Sequence, residues 1–226
     1  MELGEGTQGH RPALSNRLLY TAIAVGTAAF VALAVLARLN QHFEFDPPAT
    51  LFLQGFRNPP LDEAMVVISW PGYPPQFIIF FTAAAAALVA LRRRLELAIM
   101  AAAELGVGAV GFALKPLVDR RRPPDSLVWV NDHLTQDPYT FTAGHVHTFM
   151  VIVGWIIFLV LSQKLLPPPA RVAVVVLGAI FLVVMGISRV YLGDHWSSDV
   201  LGAYLLGGIW LGLEVVAYRR LRKSKA

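Results

Sequence analysis

Long apolar stretches alternate with short polar ones along the chain. Six of the apolar stretches are close to the length that a helix needs to cross a bilayer. A membrane-spanning helix needs about 20 predominantly apolar residues, and a window of about 19 residues is the usual length for finding one. The six stretches occupy residues 18–39, 75–91, 95–114, 146–161, 171–187 and 200–218. The pattern predicts an all-α bundle of six transmembrane helices, in one integral membrane domain over residues 1–226.

The segment between the first two predicted spans, residues 40–74, mixes aromatic side chains with prolines and acidic residues. This mixture predicts short amphipathic helices that lie at the outer membrane interface. Two roles fit such a segment. It can pack over the end of the bundle, or it can form a rim through which a lipid enters.

Lysine and arginine are distributed unequally between the two sides of the predicted bundle. Twelve of the 19 lie on the side that holds both termini, and seven lie on the other side. Basic residues accumulate on the cytoplasmic side of membrane proteins. We therefore predict a cytoplasmic N-terminal segment at residues 1–17, a cytoplasmic basic tail at residues 219–226, and an outer face that carries five of the six histidines.

The composition agrees with a membrane protein and narrows its chemistry. Hydrophobic residues make up 56% of the chain and charged residues 15%, which is outside the usual range of soluble domains. The chain has no cysteine, so disulfides, thiol nucleophiles and cysteine-bound metals are excluded. The net charge of +4 is explained by basic residues that flank the spans, so we expect the bilayer as a partner and not nucleic acid.

Polar clusters lie at the predicted outer ends of the third to sixth helices. In the first cluster, Arg122 follows Lys115 by seven positions, close to two helical turns. Both side chains then lie on one face, provided that the helix persists through Pro116. The second cluster is the sequence Thr-Phe-Thr-Ala-Gly-His at residues 140–145.

The third cluster contains Ser188, Arg189, His195 and Asp199. His195 and Asp199 stand at i and i+4, a spacing that places both on one face at the entrance of a helix. A carboxylate beside a histidine can fix the imidazole tautomer whose attacking nitrogen is unprotonated.

Together the clusters supply three cations, two histidines and a carboxylate. Guanidinium groups bind phosphoryl oxygens in bidentate fashion, and lysine adds a point charge, so the set suits a phosphoryl group in transfer. One histidine can attack phosphorus while the other manages the proton of the leaving group. Without cysteine or a dense cluster of Asp and His, the residues demand no metal.

The spacing Lys-x6-Arg-Pro, then Gly-His, then Ser-Arg-x5-His-x3-Asp resembles the signature of the type 2 phosphatidic acid phosphatase (lipid phosphate phosphatase) family. That family also includes vanadium haloperoxidases and soluble acid phosphatases. The resemblance extends over the bundle from the second to the sixth span. The matching positions are Lys115, Arg122, Pro123, Gly144, His145, Ser188, Arg189, His195 and Asp199.

The resemblance implies a role for each matching side chain. It implies that His195 is the nucleophile and forms a phosphohistidine, that Asp199 orients it, and that His145 is the general acid for the leaving alkoxide and then activates water. It also implies catalysis without a metal or other cofactor. The implied phosphate-binding residues are Lys115, Arg122, Gly144, Arg189 and Ser188.

One position departs from the family pattern. The family usually has Pro-Ser-Gly-His, whereas this chain has Ala143 before Gly144 and His145. Losing one hydrogen-bond donor to a charged acceptor weakens transition-state binding by about 1.5–3 kcal/mol, or roughly one to two orders of magnitude in rate. Either Thr140 or Thr142 can supply the missing hydroxyl, and the sequence leaves that choice open.

Other polar residues near the spans have structural interpretations. Arg120 and Arg121 are expected to snorkel or to bind headgroups nonspecifically. His147 is expected to be structural, because a two-residue offset turns it away from His145. Glu104, in the middle of the third span, is expected to make an interhelical hydrogen bond.

These features predict a metal-independent phosphatase of the bacterial cytoplasmic membrane that hydrolyses a lipid phosphate or diphosphate at the outer leaflet. Phosphatidic acid, phosphatidylglycerol phosphate, an isoprenoid diphosphate and a lipid A-like phosphate all remain open as substrates. Two alternatives also remain: a catalytically silent protein of the same fold that binds or transports lipid phosphates, and a phosphotransferase with an acceptor other than water. The sequence does not indicate an oligomeric state.

Overall fold

A computed structural model describes residues 16–131 and 137–223 of the chain. Within them lie eight α-helices, one 3-10 turn at Trp70–Gly72, and an isolated bridge between Arg121 and Tyr139 in place of any strand. The helices are α1 (Asn16–Leu39), α2 (Asp46–Gln54), α3 (Pro59–Ser69), α4 (Pro74–Ala90), α5 (Arg94–Val118), α6 (Gly144–Gln163), α7 (Pro168–Tyr191) and α8 (Ser197–Lys223). The predicted all-α fold is confirmed.

Five of these helices, α1 and α5 to α8, are long and apolar enough to cross a membrane. The predicted span 75–91 corresponds to α4, which has 17 residues and extends for about 26 Å at about 1.5 Å per residue. A sixth span arises only when α4 is joined to α3 and the 3-10 turn, across a bend of 63°. Pro71 and Pro74 stand at that bend, where proline interrupts helical hydrogen bonding.

Helix α8 lies in the middle of the bundle, against α1, α5 and α6. Its small residues allow neighbouring helices to approach closely, as in other membrane bundles. At Gly207, for example, an added Cβ would lie 2.6 Å from the Cβ of Met150 in α6. Gly207 therefore allows α6 and α8 to pack closely.

The two ends of the bundle differ in charge. At one end, the start of α1 meets the end of α8: Arg219 donates to Asn16 at 3.1 Å, and Arg220 donates to the Tyr20 hydroxyl at 3.0 Å. The basic residues from position 219 to 223 continue α8 as helix. The predicted N-terminal segment 1–17 lies almost wholly outside the described residues. The three polar clusters lie at the opposite end of the bundle.

Residues 40–74, which are named the outer segment after their predicted location, form α2, α3 and the 3-10 turn and pack over the end of the bundle. Gln54, at the end of α2, donates to the carbonyls of Trp129 at 2.7 Å and Tyr191 at 2.9 Å. Its side-chain oxygen accepts the Trp129 amide at 3.0 Å. The short helices predicted for this segment are confirmed, and the packing role is the one that these contacts support.

Candidate active site

A cavity of about 390 Å³ opens at the end of the bundle opposite the basic end. It brings together side chains from all three polar clusters and from the outer segment. Its lining residues are Gly72, Tyr73, Pro74, Phe77, Lys115, Arg122, Asp137, Gly144, His145, Thr148, Arg189 and His195. Six of the eight predicted site residues line it, and the exceptions are Ser188 and Asp199.

The predicted helical relationship between Lys115 and Arg122 is wrong, although both residues reach the cavity. Helix α5 continues through Pro116 but ends at Val118, and Asp119 adopts a left-handed conformation with φ of 50°. Arg122 therefore lies in the irregular segment after the helix. The two cations converge because the chain folds back, and not because they share a helix face.

A hydrogen bond to a backbone carbonyl defines the tautomer of His195, a buried residue that precedes α8. Its Nδ1 lies 2.9 Å from the carbonyl oxygen of Thr140 and 2.9 Å from the hydroxyl of the same residue. Because a carbonyl only accepts hydrogen bonds, Nδ1 carries the proton. The Nε2 lone pair is then free for a ligand in the cavity.

Burial is also the main influence on the charge of His195. Burial, followed by the positive charges of Arg122 and Arg189, holds the pKa of His195 well below its ordinary value. The imidazole is therefore neutral near pH 7, the state that a nitrogen nucleophile requires.

Asp199 contacts His195 through Thr140. The Thr140 hydroxyl donates to Asp199 Oδ2 at 2.7 Å, while its oxygen faces Nδ1 of His195. The expected i and i+4 relationship on one helix face is absent, because α8 begins at Ser197 and leaves His195 outside the helix. Asp199 instead caps the helix by accepting the Trp196 amide at 2.8 Å.

Arg120 was expected at the membrane surface, and that expectation is wrong. Its side chain is fully buried between two carboxylates, 2.6 Å from Asp199 Oδ1 and 2.7 Å from Asp46 Oδ2. Its Nη1 also donates to Ser198 at 2.8 Å, and its Nε to the Gln41 carbonyl at 3.1 Å. Arg120 thus links the outer segment to the carboxylate behind His195.

Asp46 completes this buried network from the first turn of α2. It accepts hydrogen bonds from the Phe43 amide, from the hydroxyl and amide of Ser198, and from the Ser197 hydroxyl. Burial tends to raise the pKa of Asp46, but the hydrogen bonds from Phe43, Ser198 and Ser197 outweigh it and lower the pKa. The carboxylate is therefore ionised and balances the charge of Arg120.

Arg122 and Lys115 are both anchored by Asp137. Arg122 donates from Nε to the Asp137 carbonyl and from Nη1 to the Asp194 carbonyl, each at 2.7 Å. Lys115 Nζ forms an ion pair with the Asp137 carboxylate. Burial tends to raise the pKa of Asp137, but the hydrogen bonds from Lys115 and the Tyr139 amide lower it.

Arg189 is fully buried in the wall of the cavity. Its Nη1 donates to the Tyr73 hydroxyl at 3.2 Å, and its Nη2 lies 2.5 Å from Asp194 Oδ2 in an ion pair that lacks hydrogen-bond geometry. Its Nε has no hydrogen-bond partner among the described residues. A buried donor without a partner is costly, so a phosphoryl oxygen in the cavity would satisfy it.

His145 lies in the first turn of α6, and the outer segment packs against it. Its Nε2 is buried and has no hydrogen-bond partner within residues 16–131 and 137–223. The Tyr73 ring meets the imidazole edge on, with centroids 4.8 Å apart. Gly72 is required beside it, since an added Cβ there would lie 2.0 Å from His145 Cδ2.

Gly144 is the first residue of α6 and lines the cavity. The first amides of a helix have no partner within the helix, and the helix dipole favours an anion at that end. A Cβ added at Gly144 would meet nothing within 4 Å, so the space beside this amide is open. The local structure suits a phosphoryl oxygen.

Neither threonine of the second cluster offers its hydroxyl to the cavity. The Thr140 hydroxyl donates to Asp199, and the Thr142 hydroxyl lies 3.0 Å from Nδ1 of the buried His147. Ala143 is fully buried in an apolar cluster with Val146 and its neighbours. Thus the hydroxyl missing at position 143 is not replaced by either candidate from the sequence.

The structure places Ser188 away from the cavity. Its hydroxyl donates to the Met185 carbonyl at 2.7 Å and lies 2.8 Å from the Ser69 hydroxyl. Ser188 therefore joins α7 to α3 and supports the wall that carries Arg189. In the described part of the chain, no group of three or more acidic or histidine side chains is arranged to hold a metal ion.

Sequence reasoning missed several residues of the site: Asp46, Gly72, Tyr73, Arg120 and Asp137. The three consecutive arginines before Pro123 were the available signal for Arg120. The other residues come from distant segments, and no spacing in the sequence connects them to the histidines.

The fold and the cavity define a helical membrane protein with two histidines among fixed cations at one end of its bundle. The family model described as PAP2 superfamily matches residues 95–223, more than half of the chain. The chain belongs to the PAP2 superfamily, as its motifs indicated.

Two crystal structures share this fold. The transmembrane PAP2 type phosphatidylglycerolphosphate phosphatase from Bacillus subtilis is 23% identical, with a TM-score of 0.75, over 88% of this chain and 96% of that one. LpxE from Aquifex aeolicus is 16% identical, with a TM-score of 0.61, over 78% of this chain and 96% of that one. At sequence identities of 23% and 16%, the similarity to these two proteins shows a shared fold.

Proposed function

We propose that this protein hydrolyses a lipid phosphate or diphosphate at the outer leaflet through a phosphohistidine on His195. The observation that carries the proposal is the hydrogen bond from His195 Nδ1 to the Thr140 carbonyl. It leaves Nε2 unprotonated in a cavity that is lined by Lys115, Arg122 and Arg189. A neutral nucleophile among fixed cations is the arrangement that phosphoryl transfer needs.

Substrate binding depends on the three cations. Arg122 is held by two backbone carbonyls, so its orientation is set before a ligand arrives. Arg189 offers its unpartnered Nε, and Lys115 can exchange part of its contact with Asp137 for a phosphoryl oxygen. Their combined charge stabilises the equatorial oxygens of the transferring group, so no step requires a metal ion.

In the first step, Nε2 of His195 attacks phosphorus and a P–N bond forms. The bond between phosphorus and the lipid oxygen breaks, and His145, which takes up a proton when the phosphate anion binds beside it, gives that proton to the lipid oxygen. The alcohol leaves, and positive charge develops on His195. The Thr140 carbonyl stabilises that charge directly, and Asp199 does so through the Thr140 hydroxyl.

In the second step, His145 takes a proton from water, and the water oxygen attacks phosphorus. The P–N bond breaks, and its electron pair returns to Nε2 of His195. Inorganic phosphate leaves with the original protonation states restored. The sum of the two steps is the hydrolysis of one phosphate ester by one water molecule.

We also propose that the cavity faces outward and that the chain is one membrane domain with both termini in the cytoplasm. The support is the accumulation of basic residues at the end of the bundle opposite the cavity. Phe77 and Thr148 line the cavity near the beginnings of α4 and α6. A lipid substrate can therefore keep its chains in the bilayer while its phosphate reaches His195.

The test is a phosphate-release assay on purified protein in detergent, with a chelator present. The panel comprises phosphatidylglycerol phosphate, phosphatidic acid, an isoprenoid diphosphate and a lipid A-like phosphate. We expect release from at least one of them, loss of release in His195→Ala, and retention in His42→Ala, which alters an exposed histidine outside the cavity. Binding of these lipids without any release would contradict the proposal.

The proposed intermediate needs its own experiment, because a silent lipid-phosphate-binding protein remains the alternative. The observation that favours that alternative is the engagement of the Thr140 and Thr142 hydroxyls, the two on either side of Phe141 that precede Ala143, in other contacts. A labelled substrate should leave phosphate on His195 after a rapid quench under alkaline denaturing conditions. Normal binding with neither turnover nor labelled histidine would favour the silent protein.

A further inference from the structure

Tyr73 stands where the outer segment meets the cavity, between the 3-10 turn and α4. Its hydroxyl accepts a hydrogen bond from Arg189 Nη1 at 3.2 Å. Its ring lies edge on against His145 and 5.5 Å from the guanidinium carbon of Arg189. The phenol therefore touches both a phosphate-binding cation and the residue proposed as the general acid.

The backbone fixes this position from both sides. Gly72 allows the close approach to His145, since any Cβ there would overlap the imidazole. Pro74 begins α4 immediately after Tyr73, and its ring fixes the backbone at the first helical position. Tyr73 is thus held in place before any ligand binds.

Hydroxyl donors are scarce around the cavity. The Thr140 and Thr142 hydroxyls bond to Asp199 and His147. Thr148 also lines the cavity, but it lies one helical turn along α6 from Gly144, the residue next to Ala143. Tyr73, in contrast, accepts from Arg189 and has its own proton left to donate.

We propose that the Tyr73 hydroxyl donates a hydrogen bond to the phosphoryl group and supplies the donor that the family serine provides at position 143. This inference rests on the proposed function, because it assigns a catalytic residue for that reaction. The bond from Arg189 polarises the phenol and strengthens its O–H as a donor. A neutral donor adds specificity for phosphoryl oxygens without further charge repulsion among the cations.

The primary test is Tyr73→Phe, which removes the hydroxyl and keeps the ring against His145. We expect kcat/KM for phosphate release to fall about 10- to 100-fold, the usual cost of one hydrogen bond to a charged group. The matched control is Tyr139→Phe, whose ring lies beside Arg121 outside the cavity and whose activity should not change. Equal activity of Tyr73→Phe and wild type would overturn the inference.

A second measurement separates this inference from the proposed function. Binding of inorganic phosphate, measured by calorimetry, should be about tenfold weaker in Tyr73→Phe whether or not the protein turns over a lipid. If wild type forms no phosphohistidine but Tyr73→Phe still weakens phosphate binding, the proposed function fails and the donor role stands. Equal phosphate affinity would remove the donor role alone.

A double-mutant cycle distinguishes donation to phosphate from support of Arg189. If Tyr73 only held Arg189, Tyr73→Phe would have no further effect in an Arg189→Lys background. We expect a further loss of about tenfold in phosphate affinity in that background, because the phenol contacts the ligand itself. Complete loss of the effect would reduce Tyr73 to a positioning residue and overturn the inference.

Discussion

Arg120 Nη1 lies 2.6 Å from Asp199 Oδ1 in the interior of the protein. The same guanidinium contacts Asp46 at the start of α2, and Asp199 reaches His195 through the Thr140 hydroxyl. A continuous polar chain thus runs from the outer segment to the proposed nucleophile. Disturbing it should change catalysis from a distance.

Arg120→Lys should weaken this polar chain of contacts while keeping a positive charge at position 120. Lysine cannot bridge two carboxylates with a planar fork, so Asp46 or Asp199 loses a partner in a buried setting. Breaking a buried ion pair costs about 3–5 kcal/mol, and we expect a lower melting temperature with a kcat about tenfold lower. Arg121→Lys is the control at the neighbouring residue, and equal kcat values for the two variants would contradict this role of Arg120.

Thr140→Val tests the hydroxyl that joins Asp199 to His195. The substitution keeps the shape and the backbone carbonyl that binds Nδ1, but it removes the hydroxyl bridge. We expect kcat to fall about 10- to 100-fold with little change in KM, because the bridge stabilises charge that develops on His195 in the transition state. Thr140→Ser should restore most of the rate, and a Thr140→Val enzyme with normal kcat would argue against the bridge.

Gly72→Ala tests the contact between the outer segment and His145. The added methyl overlaps the imidazole, so His145 or the 3-10 turn must move. A displacement of about 1 Å in a reacting group can reduce the rate about 100-fold. Gly208→Ala, where an added Cβ meets nothing within 4 Å, should keep normal phosphate release; similar rates for the two variants would refute the proposed constraint.

The lowered pKa of His195 predicts how stability depends on pH. In the unfolded chain a histidine titrates near pH 6.5, whereas in the folded protein burial and the nearby arginines keep His195 neutral to lower pH. As the pH falls below about 6.5, the unfolded chain gains a proton that the folded protein does not bind, so the free energy of unfolding decreases.

Thermal unfolding in detergent between about pH 8 and pH 5 measures this effect. The melting temperature of wild type should decrease more steeply on acidification than that of His195→Gln, which has no proton to gain at this position. Parallel curves for the two proteins would show that His195 titrates normally in the folded state.

Much of the fold was predictable, because membrane-spanning helices depend on a local property of the sequence. The spacing of Lys115, Arg122, His145 and His195 likewise predicted residues that share one cavity. Arg120 and Arg122 were harder to distinguish. Arg120 is buried between two carboxylates, whereas Arg122 lines the cavity. This difference follows from the left-handed turn at Asp119, which ends α5 and which no hydropathy pattern encodes.

The contribution of the outer segment could not be predicted, because it depends on tertiary contacts. Asp46 is separated from Arg120 by more than 70 positions, and nothing near it in the sequence marks it as a catalytic neighbour. Gly72 and Tyr73 similarly acquire their positions only when α6 is packed beside them. The roles of these residues depend on their packing, and packing is a property of the assembled bundle.

The bond between Asp46 and Arg120 limits how this protein can be re-engineered. Enzymes are often given new substrates by exchange of a peripheral loop, and residues 40–74 have the location of such a loop. A donor segment without a carboxylate at position 46 would leave Nη2 of the buried Arg120 without its acceptor, although Asp199 would still pair with the same guanidinium. Exchange of this segment therefore requires a matching change at position 120, so the two parts are expected to diversify together.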